Sequence, residues 1–321
     1  MNPPRLRYRI PTLDDLTGCA EVLPPWLALP DALQGQLPTL WAGMLGHDAA
    51  LFGVVEDLNQ PAAQRIQGFG LTVIVPPELA DAFARQPVPF SARLAYQGLA
   101  SGRWQLPGER DIARANAAEG VSMLVLHYAQ RNLDLQDPYC HSVLHEALEM
   151  FRIVHGGYRI QRFWQEGTPA DLPFMLDMGF RCQADFDGDP RLHEVAPAAR
   201  PQLWGLTREQ ALAQLPGTVV RMIFDHQPPQ FRLSSTQRRL LALALFDDSD
   251  EALLNRLDVS PHGLKKLWRG IYERIEDRSP GFFGDAPLDD EGKRGPEKRR
   301  QVLAYVRQRL EEARPWPGGS S

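Results

Sequence analysis

The clearest pattern of apolar and polar positions lies near the end of the chain. Apolar residues follow one helical stripe at Leu264, Leu267, Trp268, Ile271 and Ile275. Pro261 fits the first turn of this helix and Ser260 fits its N-cap. At roughly 100° per residue, four polar or cationic residues fall on the opposite face: His262, Lys265, Lys266 and Arg269. The pattern predicts a helix with a buried apolar face and an exposed basic face.

Two shorter helices are predicted before it. Ser234 and Gln237 fit a capping box that opens an apolar run, and residues 247–250 supply a turn and a second cap. A second apolar run ends at Leu257, so that Asp258 and Val259 form a short corner before Ser260. Three helices with this spacing predict an all-α helix-turn-helix domain over residues 231–278.

This segment resembles the C-terminal DNA-binding domain of the LuxR/GerE regulators. The matching residues are Leu233, Ser234, the stretch 250–259, Ser260, Leu264, Lys265, Trp268, Ile271 and Tyr272. The resemblance implies that Lys265, Lys266 and Arg269 enter the major groove of DNA, with Ser260 and the start of the helix near phosphate. The chain departs from the family at Gln237 and at residues 263–264, which leaves base preference open. The alternative is that the basic residues are only the solvated face of a surface helix.

The first 190 residues alternate between strand and helix patterns. The predicted strands are Arg7–Ile10, Ala50–Glu56, Arg65–Val75, Gly120–Tyr128, Tyr158–Glu166 and Phe180–Phe186, and the predicted helices are residues 16–23, His141–His155 and Pro169–Met178. This alternation predicts an α/β domain over residues 1–190.

The same segment resembles the GNAT acetyltransferase fold. The residues that carry the resemblance are in the hairpin at 53–56 and 68–70, in the strand 123–126, and in the closing stretch Leu176–Arg181. The resemblance implies a mixed sheet with flanking helices and, in active members, acyl transfer from acetyl-CoA.

The loop that would hold coenzyme A departs from that family. Members need a glycine-containing loop after the central strand, because backbone amides at a helix N-terminus must approach the pyrophosphate. Residues 127–138 contain no glycine, and Asp134 and Asp137 add negative charge there. The sequence therefore favours a sensory or scaffold domain without acyl transfer and without a cofactor. The alternative is an acetyl-CoA-dependent N-acetyltransferase with a regulatory DNA-binding domain.

No catalytic or metal-binding set is predicted. His141 and His145 share one helix face beside Glu146, but neither an HExxH motif nor a definite third ligand accompanies them. Glu166 ends a strand, a position typical of a solvated or capping carboxylate.

The remaining segments complete the predicted organisation. Residues 191–230 are rich in proline and predict a structured connector with one helix from Thr207 to Leu215. Residues 279–321 predict a C-terminal extension with an accessory helix that begins at Pro296, either packed on the helix-turn-helix domain or paired with a second copy.

Charge is unevenly distributed along the chain. The total is −5, but residues 232–321 hold 17 Lys and Arg against 15 Asp and Glu, which leaves 18 against 25 in the preceding part. An acidic body with a basic end is typical of a regulator that touches DNA through one module. We expect a cytoplasmic protein without a membrane span, a transcriptional regulator whose partners are double-stranded DNA, a second copy in a homodimer, RNA polymerase and a small-molecule effector.

Overall fold

A seven-stranded mixed sheet forms the centre of the N-terminal part of the chain. A computed structural model describes residues 3–247, 249–284 and 295–318. The strands are β1 (Leu6–Arg9), β2 (Ala50–Asp57), β3 (Ile66–Val75), β4 (Val121–Gln130), β5 (Ile160–Gly167), β6 (Arg181–Ala184) and β7 (Gln202–Thr207). Their order is β1-β2-β3-β4-β5-β7-β6, and β4 and β5 are the parallel pair among antiparallel neighbours.

Fourteen α-helices occur in the described residues. They are α1 (Leu16–Glu21), α2 (Asp31–Gln34), α3 (Leu37–Met44), α4 (Pro77–Arg85), α5 (Ser91–Ala100), α6 (Glu109–Ala117), α7 (Pro138–His155), α8 (Leu172–Met178), α9 (Arg208–Leu212), α10 (Val219–Met222), α11 (Ser235–Ala244), α12 (Asp250–Leu257), α13 (Pro261–Arg278) and α14 (Gly295–Gln308). No described helix has both the length and the apolar content that crossing a lipid bilayer requires.

The two faces of the sheet bury different side chains. On one face, Trp41 of α3 and Tyr96 of α5 pack with Phe69 and Leu126. On the other face, α6 and α8 to α10 pack on residues such as Phe163, while α7 covers Val55. The α/β architecture predicted for this part, a mixed sheet with flanking helices, is therefore confirmed.

The sequence predicted six of the seven strands and missed β7. Residues 180–186 do include a strand, β6, but β7 follows it inside the segment assigned to a connector. Strand β7 pairs with both β5 and β6, which inserts it between them. The helix predicted at Thr207 is present as α9, and the capping box between Thr207 and Gln210 forms as expected. The domain boundaries at 190 and 230 stay a prediction.

The parallel strands β4 and β5 separate before either one ends. Their pairing stops at Val125 and Gln165, whereas β4 continues along β3 to Gln130 and β5 continues along β7 to Gly167. A bulge in β4 lies at the same level, opposite Leu71 and Thr72. Bulges bend a strand and often terminate pairing, which accounts for the divergence.

The C-terminal part is all-α, as predicted. Ser234 and Gln237 form the expected capping box of α11, Ser249 caps α12, and Ser260 caps α13. The apolar residues of α14, among them Val302 and Val306, pack into the same core as α11 to α13. Of the two uses foreseen for α14, the structure therefore has packing on the preceding helices.

Buried charged groups join the two parts. Glu312, which is 1% exposed, accepts hydrogen bonds from the amides of Gln230 (2.7 Å) and Phe231 (3.0 Å). Arg314 donates to the last carbonyl groups of α7 and to the carbonyl of Gly156 at 2.9 Å. Gly157 has a φ of +83°, and a Cβ there would lie 2.4 Å from the carbonyl carbon of Leu310. Glycine is thus required at this close approach.

Candidate functional site

The helix α13 has the construction that its sequence predicts. The Ser260 hydroxyl accepts a hydrogen bond from the Gly263 amide at 3.1 Å, and Pro261 occupies the first turn. The buried stripe of the helix consists of Leu264, Trp268, Ile271 and Ile275. These residues pack on α11, α12 and α14, so the core fixes which face of α13 remains outside.

The five residues predicted to contact DNA lie on the outer surface. Ser260, His262, Lys265, Lys266 and Arg269 are all exposed. Within the described residues, neither lysine nor Arg269 forms an ion pair or a side-chain hydrogen bond. An exposed cation without an internal partner keeps its full charge for an external one. Their exposure is confirmed, whereas their contact with DNA stays a prediction.

A tight corner sets the direction of α13 relative to α12. The corner begins at Asp258, which has a φ of 51° and ends α12 in the left-handed conformation. Short polar side chains such as Asp tolerate this conformation better than most.

Helix α14 packs against the buried side of α13. The Arg299 guanidinium lies 4.8 Å from the centre of the Trp268 ring and donates to Asp250 at 2.7 Å. Lys298 lies over the ring of Phe283, and Arg300 pairs with Glu297. These α14 cations therefore have partners inside the protein, unlike Lys265, Lys266 and Arg269 of α13.

The loop before α7 uses its backbone amides internally. Asn132 accepts from the amide of Asp134, Asp134 from the amide of Gln136, and Asp137 from the amide of Tyr139, each at 2.9 Å. A pyrophosphate would need such amides free and would meet the two carboxylates in their place. The residues of this loop do not fit the pyrophosphate of coenzyme A.

The space beside the separated strands is small. A cavity of about 70 Å³ lies between α7, α8 and strands β3 to β5. Beside it, His155 Nδ1 donates to the Phe151 carbonyl, and His155 Nε2 accepts from the Thr72 hydroxyl, both at 2.8 Å. Burial lowers the pKa of His155 to about 4, which keeps the ring neutral. A volume of this size holds about two water molecules.

Glu166 is a capping carboxylate, one of the two roles that its position allowed, and it is not solvated. Its side chain is 2% exposed, and its oxygens accept hydrogen bonds from the amides of Ser91 (2.8 Å) and Ala92 (3.0 Å) at the start of α5. Burial raises the pKa of Glu166, while the amide hydrogen bonds oppose that shift. His141 and His145 are exposed, and the described residues contain no group of three His, Cys, Asp or Glu placed to hold a metal ion.

Sequence reasoning missed a large cavity between the sheet and the C-terminal helices. Its volume is about 740 Å³, and its walls come from five or more separate stretches of the chain. A cleft of about 290 Å³ adjoins it at the edge of β1 and β2. No local motif marks residues that only tertiary folding brings together, so the sequence offered no signal for this site.

Comparisons with known proteins give distant similarities of fold. No family model matches the chain, and no curated protein matches it. The C-terminal condensation domain of Ebony in complex with beta-alanyl-dopamine has 15% identity and a TM-score of 0.37, over 64% of this chain and 100% of that one. A mutant spermidine/spermine N-acetyltransferase SpeG from Vibrio cholerae has 12% identity and a TM-score of 0.35, over 65% and 98%.

FeeM, an N-acyl amino acid synthase from uncultured soil microbes, has 11% identity and a TM-score of 0.36, over 66% of this chain and 95% of that one. The mixed sheet with flanking helices is the architecture that the sequence predicted. Similarities at this distance carry no weight for activity, and none of them concerns the LuxR/GerE resemblance of residues 231–278.

Proposed function

We propose that this protein binds double-stranded DNA through α13 and regulates transcription. The observation that carries the proposal is the exposed row of Lys265, Lys266 and Arg269, which have no internal partners in the described chain and project from the face opposite a buried stripe. A helix with its side chains is about 10–12 Å wide, which matches the roughly 12 Å width of the DNA major groove.

The surroundings of α13 also suit this role. Three cations of α14, Lys298, Arg299 and Arg300, contact protein groups, whereas Lys265, Lys266 and Arg269 of α13 remain available to a polyanion. The neutral Ser260 cap leaves the positive end of the helix dipole uncompensated by a carboxylate. By the LuxR/GerE resemblance, the wider proposal is a homodimer that reads two half-sites, contacts RNA polymerase and responds to a small molecule.

The test is the variant Lys265→Ala/Lys266→Ala/Arg269→Ala, measured on a duplex that the full chain has selected from a random pool. At about 1 kcal/mol or more for each contact, affinity should fall at least about 100-fold. The unfolding midpoint should stay nearly constant, because exposed substitutions usually cost about 0.5 kcal/mol or less.

A matched control removes the same charge elsewhere, with Arg85→Ala/Arg110→Ala/Arg114→Ala on exposed positions of α4 and α6. This control should bind the duplex nearly as tightly as the parent chain. Equal losses in both triple variants would mean that only net charge matters, and an unaffected α13 variant would remove α13 from the interface.

A second candidate is acyl transfer from acetyl-CoA in the N-terminal part. The separation of β4 from β5 favours it, because diverging parallel strands leave backbone groups between them without a strand partner. The internally bonded amides before α7 oppose it. Calorimetry of the full chain with acetyl-CoA should therefore show no binding below about 100 μM. Low-micromolar affinity accompanied by turnover of an amine would place this candidate first.

A further inference from the structure

The cleft at the edge of β1 and β2 adjoins the large cavity, and we call the two spaces together the groove. The two spaces share six lining residues: Ile10, Thr12, Leu243, Phe246, Asn255 and Arg256. One wall belongs to the sheet and its loops, and the other belongs to α11 and α12. Their volumes, about 290 and 740 Å³, fall in or near the range of small-molecule sites, which often lie between domains.

Arginine side chains outnumber carboxylates in the cleft at the edge of β1 and β2, which is the narrow end of this groove. Four arginines line it against two carboxylates: Arg7, Arg9, Arg65 and Arg256 against Glu56 and Asp247. Glu56 is 1% exposed and already pairs with both Arg7 and Arg9.

Two of these arginines have no carboxylate partner at ion-pair distance within the described chain. Arg256 donates only to the carbonyl groups of Ile10 (2.5 Å) and Pro11 (3.0 Å). The Nε atom of Arg65 is buried and has no hydrogen-bond partner. Asp15 and Asp247 act on Arg256 only from beyond ion-pair distance. An anion in contact with these two guanidinium groups would supply charge-assisted hydrogen bonds that the described protein groups do not.

The cavity of about 740 Å³, which is the wide end of the groove, has a different lining. This lining includes apolar side chains, among them Leu51, Val154 and Phe246, and the exposed carboxylates of Asp14 and Asp48. Further charged side chains of both signs line it as well: Glu109, Arg238, Arg239 and Arg314. Carboxylates accept hydrogen bonds from hydroxyl and amino groups. This end therefore suits a planar or apolar body that carries such donors.

We propose that the groove binds a nucleoside phosphate, with the phosphate at the arginine end and the nucleoside in the wider cavity. A phosphate carries about −1.5 to −2 charge and three acceptor oxygens, which matches two guanidinium groups that lack an ion-pair partner better than a single carboxylate would. The ribose hydroxyls and base amino groups supply donors for Asp14 and Asp48, and the base covers the apolar lining. This site is independent of whether α13 binds DNA.

Calorimetry of the full chain with ADP, adenosine and inorganic phosphate tests the site. We expect ADP to bind with a Kd below about 1 mM, phosphate alone to bind more weakly and adenosine to give no measurable heat. Arg65→Met should weaken ADP binding at least about tenfold, whereas Arg114→Met on the exposed face of α6 should leave it unchanged. Arg65→Lys keeps the charge without the planar fork and should give an intermediate affinity.

Two results would overturn the proposal. One is the absence of ADP binding up to about 1 mM by the correctly folded parent chain. The other is ADP binding that both Arg65→Met and Arg65→Lys leave unchanged. Should Arg65→Met fail to fold, the ADP affinity of Arg65→Lys alone decides the outcome. None of these results bears on the DNA interface.

Discussion

The helices α7 and α13 begin in nearly the same way but present opposite charge. Each has 18 residues, starts with proline and has a side-chain oxygen at its N-cap. Before α7, Asp137 and Asp134 occupy the amides and add negative charge, whereas before α13 a neutral serine caps the helix and lysines follow. The comparison teaches that similar local geometry at a helix start does not make an anion site; the charge of its caps and neighbours decides.

The largest expected effect comes from removing the support beneath the basic face of α13. Leu264 is 2% exposed, and Leu264→Ala should lower the free energy of unfolding by about 2–5 kcal/mol, because it removes buried apolar surface and leaves a cavity. Urea denaturation measures this loss. Lys265→Ala, one residue further and exposed, is the matched control and should cost about 0.5 kcal/mol or less. Equal costs at the two positions would contradict the assignment of the two faces.

A smaller effect tests the caps that make the two helix starts alike. Ser260→Ala and Asp137→Ala should each lower the free energy of unfolding by about 1 kcal/mol, because each leaves a backbone amide without its acceptor. Only Ser260→Ala should also weaken binding of the selected duplex. The comparison fails if Asp137→Ala weakens duplex binding as strongly, or if neither substitution changes the urea midpoint.

Local signals account for what the sequence predicted well. Capping boxes and apolar periodicity located α9, α11, α12 and α13, because both features depend on residues within one or two turns of each other. The exposure of Lys265 follows directly from the burial of Leu264. The same local logic identified the carboxylates that crowd the loop before α7, whereas the amides that Glu166 caps lie 74 and 75 residues away and needed the folded chain.

Long-range pairing accounts for what the sequence missed. Strand β7 is six residues long and lies in a proline-rich segment, and it is stabilised by β5 and β6 on its two sides. Glu312 belongs to a highly charged stretch that indicates solvent exposure, yet it is buried because distant amides need its oxygens. The arginine-lined end of the groove was not predicted for the same reason, since only folding brings Arg65 and Arg256 to one cleft.

The turn that follows α14 has a practical consequence for protein engineering. Glu312 accepts hydrogen bonds from the amides of residues 230 and 231, and Arg314 donates to carbonyl groups at the end of α7. Ile153 of α7 lies in the core of the C-terminal helices. We therefore expect that α11 to α13 cannot be transplanted as an autonomous module. A chimera built from residues 231–278 alone would expose apolar core surface and aggregate, whereas one that keeps residues through 314 would cover far more of that surface.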